Sequence, residues 1–169
     1  MGAPNQQEAQ GTWERGTVTV QQTRRQILTG AQTLTVAQSG ALCLFNAATG
    51  YTFTLPAVSA NDVGTWFEFL VTVTNTATAD KIISDAATTY LKGEVHTFVD
   101  ATTPSAAAGP KGFSFDGTTH IACIMGGADT TKGGVAGSRV RLEAISTTQW
   151  MITGNIVGAG TIVTPASTT

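Results

Sequence analysis

The sequence predicts an all-β protein: a single β-sandwich or jelly-roll-like barrel domain with an extended N-terminal arm. Three observations lead there. Val, Ile and Thr together number 53 of 169 residues, Thr alone 31, whereas Leu, Met, Gln, Glu, Lys and Arg together number 34. β-Branched side chains lose little conformational freedom on a pleated surface and more in a helix, so this balance favours strands. No long stretch repeats apolar residues at helical spacing, while short alternating segments recur between turn residues.

Residues 1–25 read as the arm, since Trp13 is the only large apolar side chain in residues 1–16. Val18 and Val20 share a face, as do Leu34 and Val36 in the expected strand over residues 33–40. The continuous apolar run from Ala41 to Phe45 suits a strand covered on both faces. Tyr51, Phe53 and Leu55 alternate with threonines and stop at Pro56, which lacks the N–H a ladder needs. From Trp66 to Thr74, Phe67, Phe69, Val71 and Val73 point one way, with Trp66, Glu68, Thr72 and Thr74 opposite. Weaker strands follow at Ile82–Ile83 and Val95–Val99, then a loop over 100–112. Phe113 and Phe115 lead through Asp116-Gly117, a hairpin signal, to Ile121, Cys123 and Met125. A glycine-rich loop over 126–137 precedes the last hairpin, in which Val140, Leu142 and Ala144 face inward opposite Arg139, Arg141 and Glu143. Residues 26–157 thus form the expected β-domain and 158–169 a thin Gly/Thr tail, with no fixed-period repeat.

Composition narrows the function. Charged residues make up 12 % of the chain and the net charge is −2, so nine scattered cations make no phosphate-neutralising face and nucleic acid is not expected as a partner. No apolar run approaches the ~18 residues of a membrane span. The polar start carries no secretory signal, and no Asn-x-Ser/Thr occurs.

The chemistry-bearing residues are sparse. Glu94 and His96 emerge on one face of a strand, as an oriented general base would require, yet a triad needs a third placed role. His120 near Asp116 reads as a turn residue. His120 and Cys123 fall on opposite strand faces, unsuited to one metal ion. Cys43 and Cys123 read as buried thiols, with a disulfide open only if their strands are neighbours. The glycine-rich loop lacks the following helix of a phosphate cradle, and Lys132 precedes Gly133-Gly134 rather than a Ser or Thr. No cofactor, metal or catalytic residue is expected. With so few charges, the exposed face consists largely of Thr, Ala, Gly, Gln and Asn, which suits permanent protein contacts. Trp13, Arg15, Arg24 and Arg25 are residue types enriched at interface hot spots and are the candidate partner-binding residues.

The segments Leu34-Thr-Val-Ala-Gln-Ser-Gly40, Tyr51-Thr-Phe-Thr-Leu-Pro56, Arg141-Leu-Glu-Ala-Ile-Ser146 and Gln149-Trp-Met-Ile-Thr-Gly154 resemble small β-rich structural proteins of tailed bacteriophages, nearest to capsid decoration (cement) proteins. The resemblance spans roughly residues 27 to 160. It implies a homotrimer on the outer capsid surface of a virion, made in the bacterial host cytoplasm. There it would bind the major capsid protein, staple neighbouring subunits and resist internal DNA pressure. Residues 1–25 would cross subunit boundaries. The alternative is a glycan- or receptor-binding module of a head or tail fibre, which would display aromatic platforms on loops; most aromatics here fall on strands. A small hydrolase built on His96 or His120 is a third class.

Overall fold

The computed structural model describes residues 25–100, 109–127 and 130–169. Among the described residues, twelve strands form two sheets packed face to face and there is no α-helix. The strands are β1 (Ile27–Thr29), β2 (Gln32–Thr33), β3 (Leu42–Phe45), β4 (Thr52–Thr54), β5 (Trp66–Val71), β6 (Asp80–Ile83), β7 (Tyr90–Val99), β8 (Lys111–Asp116), β9 (Ala122–Met125), β10 (Arg139–Ala144), β11 (Gln149–Gly158) and β12 (Ala166–Ser167). The large sheet has the order β1-β3-β5-β10-β11-β7-β8, and the small sheet β12-β9-β6-β4-β2. The all-β expectation holds.

The first six strands alternate between the sheets, so the chain winds like a coil. Each turn lays its strands parallel to those of the turn before, β1 beside β3 beside β5 and β2 beside β4 beside β6. Ile27 stands beside Leu42, and Leu42 beside Glu68, so successive turns differ in length and leave no repeat in the sequence. The second half supplies the antiparallel pairs β5–β10, β10–β11 and β7–β8.

The core lies between the sheets, where alternate residues of each strand point inward. Phe45, Phe53 and Phe69 meet there, with ring centroids 5.2 Å apart for Phe45–Phe53 and 5.6 Å for Phe53–Phe69. Phe67 and Trp150 form a second aromatic contact at 6.0 Å. Val140, Leu142 and Ala144 are buried as the alternation requires, and the β10–β11 hairpin sets Leu142 beside Ile152.

Five expectations need correction. Over residues 33–40 the ladder stops after Thr33: Thr35 donates its backbone N–H to the Gln38 side chain at 2.8 Å, and Val36–Gln38 turn as a 3-10 helix. A Thr-x-x-Gln capping arrangement outcompetes the alternation there. The run 41–45 is covered on one face only, with Cys43 and Phe45 fully buried and Leu42 and Leu44 partly exposed. Strand β5 ends at Val71, leaving Val73 40 % exposed: the Thr72 N–H makes the last rung to the Phe45 carbonyl at 2.8 Å, and the Val73 N–H points back to the same carbonyl at 3.4 Å.

The expected hairpin at Asp116-Gly117 does not form. β8 pairs with β7 in the large sheet while β9 pairs with β6 and β12 in the small one. Asp116 drives this crossing: its Oδ1 accepts the N–H groups of Thr118 and Thr119, both at 2.8 Å, and of His120 at 3.2 Å. These bonds build an Asx-type turn that carries the chain to the other sheet. Finally, the segment after Gly158 is not a free tail. Ile162 is buried, and Ala166–Ser167 add β12 to the small sheet beside Cys123 and Ala122.

Candidate interaction surface

The register places rows of outward side chains across the large sheet. One row runs Glu94, Thr153, Arg141, Glu68, Leu42, Ile27; the next runs His96, Asn155, Arg139, Leu70, Leu44, Thr29. Their chemistry changes along the row. Around β7, β11 and β10 the face is charged or polar and exposed; around β5, β3 and β1 it is apolar, with Leu42, Leu44 and Leu70 partly exposed and Ile27 62 % exposed. Nothing in the described chain covers this apolar end.

Trp66 and Glu68 mark the border between the two halves. Glu68 is buried although it lies on the outward face, because two arginines close over it: Arg25 Nη1 and Arg139 Nε each donate to its carboxylate. The hydrogen bond from Arg139 leads the effects that lower the Glu68 pKa below the ordinary carboxylate value, and Arg25 adds to it. Arg25 also donates to the carbonyls of Gly40 at 2.7 Å and Ala41 at 3.3 Å. The guanidinium carbons of Arg25 and Arg141 lie 5.0 Å and 4.2 Å from the centre of the Trp66 ring. Arg141 closes the cluster with a 2.9 Å bond to Glu143.

Arg25, a candidate partner-binding residue assigned to the arm, is thus bound into the domain surface by Glu68, Gly40 and Ala41. Trp13, Arg15 and Arg24 lie outside the described residues, as do Val18 and Val20. The cluster around Trp66 escapes sequence reading because it needs the β5–β10 register; the visible signal is only that Trp66, Glu68, Arg139 and Arg141 fall on the outward alternation.

The other sequence candidates take structural places. Glu94 and His96 stand side by side on exposed positions of β7 over Gly112, where a Cβ would run into the Glu94 carboxylate. His120 caps the Asp116 turn, its Nδ1 accepting the Asp116 N–H at 3.1 Å. Cys43 and Cys123 are free thiols on different sheets, each pushed up to about 12, by burial against which Arg25 works weakly at Cys43 and by burial alone at Cys123. In the glycine-rich loop, Gly134 (φ +82°) lets the chain cross Gly126 at a distance no side chain tolerates, and β10 follows in place of a helix. Among the described residues, no group of three or more His, Cys, Asp or Glu could hold a metal ion, and no helix is long and apolar enough to cross a membrane. No family model, no curated protein and no solved structure matches this chain.

Proposed function

We propose that the protein is a non-enzymatic virion structural protein that binds the outer surface of a phage capsid as a trimer and stabilises the lattice against internal DNA pressure. The observation that supports this reading is the outward face of the large sheet. Ile27, Leu42, Leu44 and Leu70 leave apolar area exposed beside a rigid Trp66–arginine cluster. Exposed apolar area bordered by Trp and Arg has the composition of an interface centre. The resemblance of the strand-end and hairpin segments to decoration proteins names the capsid as the partner. Residues 1–24 precede Arg25, whose side chain sits on the Trp66–Glu68 border of the apolar area, and an arm that crosses to a neighbouring subunit would add area and raise effective concentration there.

A glycan-binding fibre module would need an aromatic face free for a sugar. Trp66 is shared by two guanidinium groups instead, which favours the capsid reading. Copy number decides between them. Quantitative mass spectrometry of purified particles should find hundreds of copies in a simple ratio to the major capsid protein. A few copies would assign the chain to a fibre, and absence from the particle would overturn the structural reading. Removing residues 1–24 should abolish capsid binding while the β-domain stays folded.

A further inference from the structure

At one end of the sandwich, three loops close around Asn75, and a carboxylate lies sealed beside them. Asn75 is fully buried; its N–H donates to the Gly134 carbonyl at 2.8 Å, its side-chain amide donates to the Thr78 carbonyl, and its Oδ1 accepts the Ala77 N–H at 3.2 Å. The Thr78 carbonyl also takes the Gly50 N–H at 2.9 Å, and Thr76 donates to Ala48 at 3.1 Å. Residues 46–50, 72–79, 126–127 and 130–137 are thereby tied together. The knot has no slack: a Cβ on Gly50 would strike Thr78 and Asn75, and one on Gly126 would come 3.0 Å from the Asn75 Cβ.

Asp80 begins β6 beside this knot, paired with Met125 of β9. It is 0 % exposed, and neither carboxylate oxygen has a hydrogen-bond partner. We propose that Asp80 is a proton-operated latch: its neutral carboxyl lets the three loops stay locked, and its ionisation loosens them. A neutral acid is tolerated in an apolar site, whereas an unpaired anion there must regain solvation, which this packing allows only if the loops part. Burial is the main cause that pushes Asp80 up to about 6; the Asn75 amide and the Tyr51 backbone N–H favour the anion weakly, since neither meets it in hydrogen-bonding geometry.

No neighbouring charge takes over this role among the described residues. The Tyr51 hydroxyl is engaged with the Leu44 carbonyl and with Asn46. Cys123 on β9 and Cys43 across the core remain neutral thiols. Lys81, the next residue, is exposed on the opposite side of β6, and neither it nor Lys132 of the glycine-rich loop forms an ion pair with Asp80.

Amide hydrogen exchange of the full chain, corrected for intrinsic rates, tests the latch. Between pH 5 and pH 7.5, protection at Gly50, Asn75 and Thr76 should fall by roughly tenfold, the change expected for a carboxyl that leaves its site with an ordinary pKa. Leu142 in β10, buried in the core, should stay better protected than these loop amides at both pH values because it exchanges only when the whole domain opens, and Asp80→Asn should keep the loop amides protected at both pH values. Flat protection in the unaltered chain, or an equal fall in the variant, would overturn the proposal. Should the variant fail to fold, the carbon-13 shift of the Asp80 carboxyl decides: a midpoint near 6 supports the latch and one near 4 overturns it.

Discussion

The Arg141 guanidinium carbon lies 4.2 Å from the centre of the Trp66 ring, one strand away on the outward face of the large sheet. Cation–π contact at an exposed position contributes about 0.5–1 kcal/mol, so this pair fixes the indole's attitude more than it stabilises the fold. The stronger tie is beside it, where Glu68 gathers Arg25 and Arg139 and thereby joins the start of the described chain, β5 and β10. A pre-ordered Trp at an interface spares the entropy of ordering it on binding.

Glu68→Gln should therefore destabilise the domain by about 1–2 kcal/mol, because it leaves two arginines facing a buried position without a counter-charge. Arg139→Gln should cost less than about 1 kcal/mol, since that side chain is 62 % exposed and water can replace it. Denaturant unfolding of the two variants checks the order; equal losses would mean the cluster contributes nothing through burial.

Gly93 and Gly64 separate two reasons for a glycine. Both have positive φ, +132° and +95°, but a Cβ at Gly93 would overlap the Ile152 carbonyl across the β7–β11 ladder, while one at Gly64 meets nothing within 4 Å. Gly64→Ala should cost about 1 kcal/mol of backbone strain, and Gly93→Ala clearly more, since the ladder itself must shift. Thermal unfolding of both variants gives the comparison.

Alternation in the sequence reports which face a side chain takes but not which strand lies beside it. The inward sets Phe67–Phe69–Val71 and Val140–Leu142–Ala144, and the Gln149–Gly154 strand, were legible for that reason. The coil of β1 to β6 was not, because a strand that crosses to the other sheet and one that returns in a hairpin alternate identically. Asp116-Gly117 shows the ambiguity at one site: the pair reads as a hairpin, yet the carboxylate's three backbone bonds turn the chain across the sandwich. Val73 continued the β5 pattern but not its ladder. The outward cluster at Trp66 depended on register alone, and the fixed position of Arg25 on Glu68, a residue 43 positions away.

Cys43 and Cys123 should not react with a thiol reagent in the native protein. Both are fully buried, both are free, and burial leaves almost no thiolate at neutral pH. Two thiols should appear together on unfolding in denaturant. Labelling of one cysteine under native conditions would show that its sheet opens independently of the other.

The stability of the domain should peak in mild acid. Asp80 binds its proton more tightly folded than unfolded, about 6 against 3.8, so its contribution is complete below pH ~4 and is lost as the pH rises through 6. That loss amounts to about 3 kcal/mol by pH 7–8. Glu68 and Asp116 act in the opposite sense. Arg139 and Arg25 hold the Glu68 carboxyl low, and the Thr119 hydroxyl with the backbone N–H groups of the turn holds Asp116 well below the usual range. Both contribute above the ordinary carboxylate pKa and lose that contribution as the pH falls through their lowered values. The opposing trends place the maximum a little above pH 4. Thermal midpoints measured from pH 3 to 8 should trace that peak, and Asp80→Asn should flatten its neutral side while leaving the acid limb in place. A midpoint that climbs steadily to pH 8 in the unaltered protein would show that Asp80 finds a donor in the folded state.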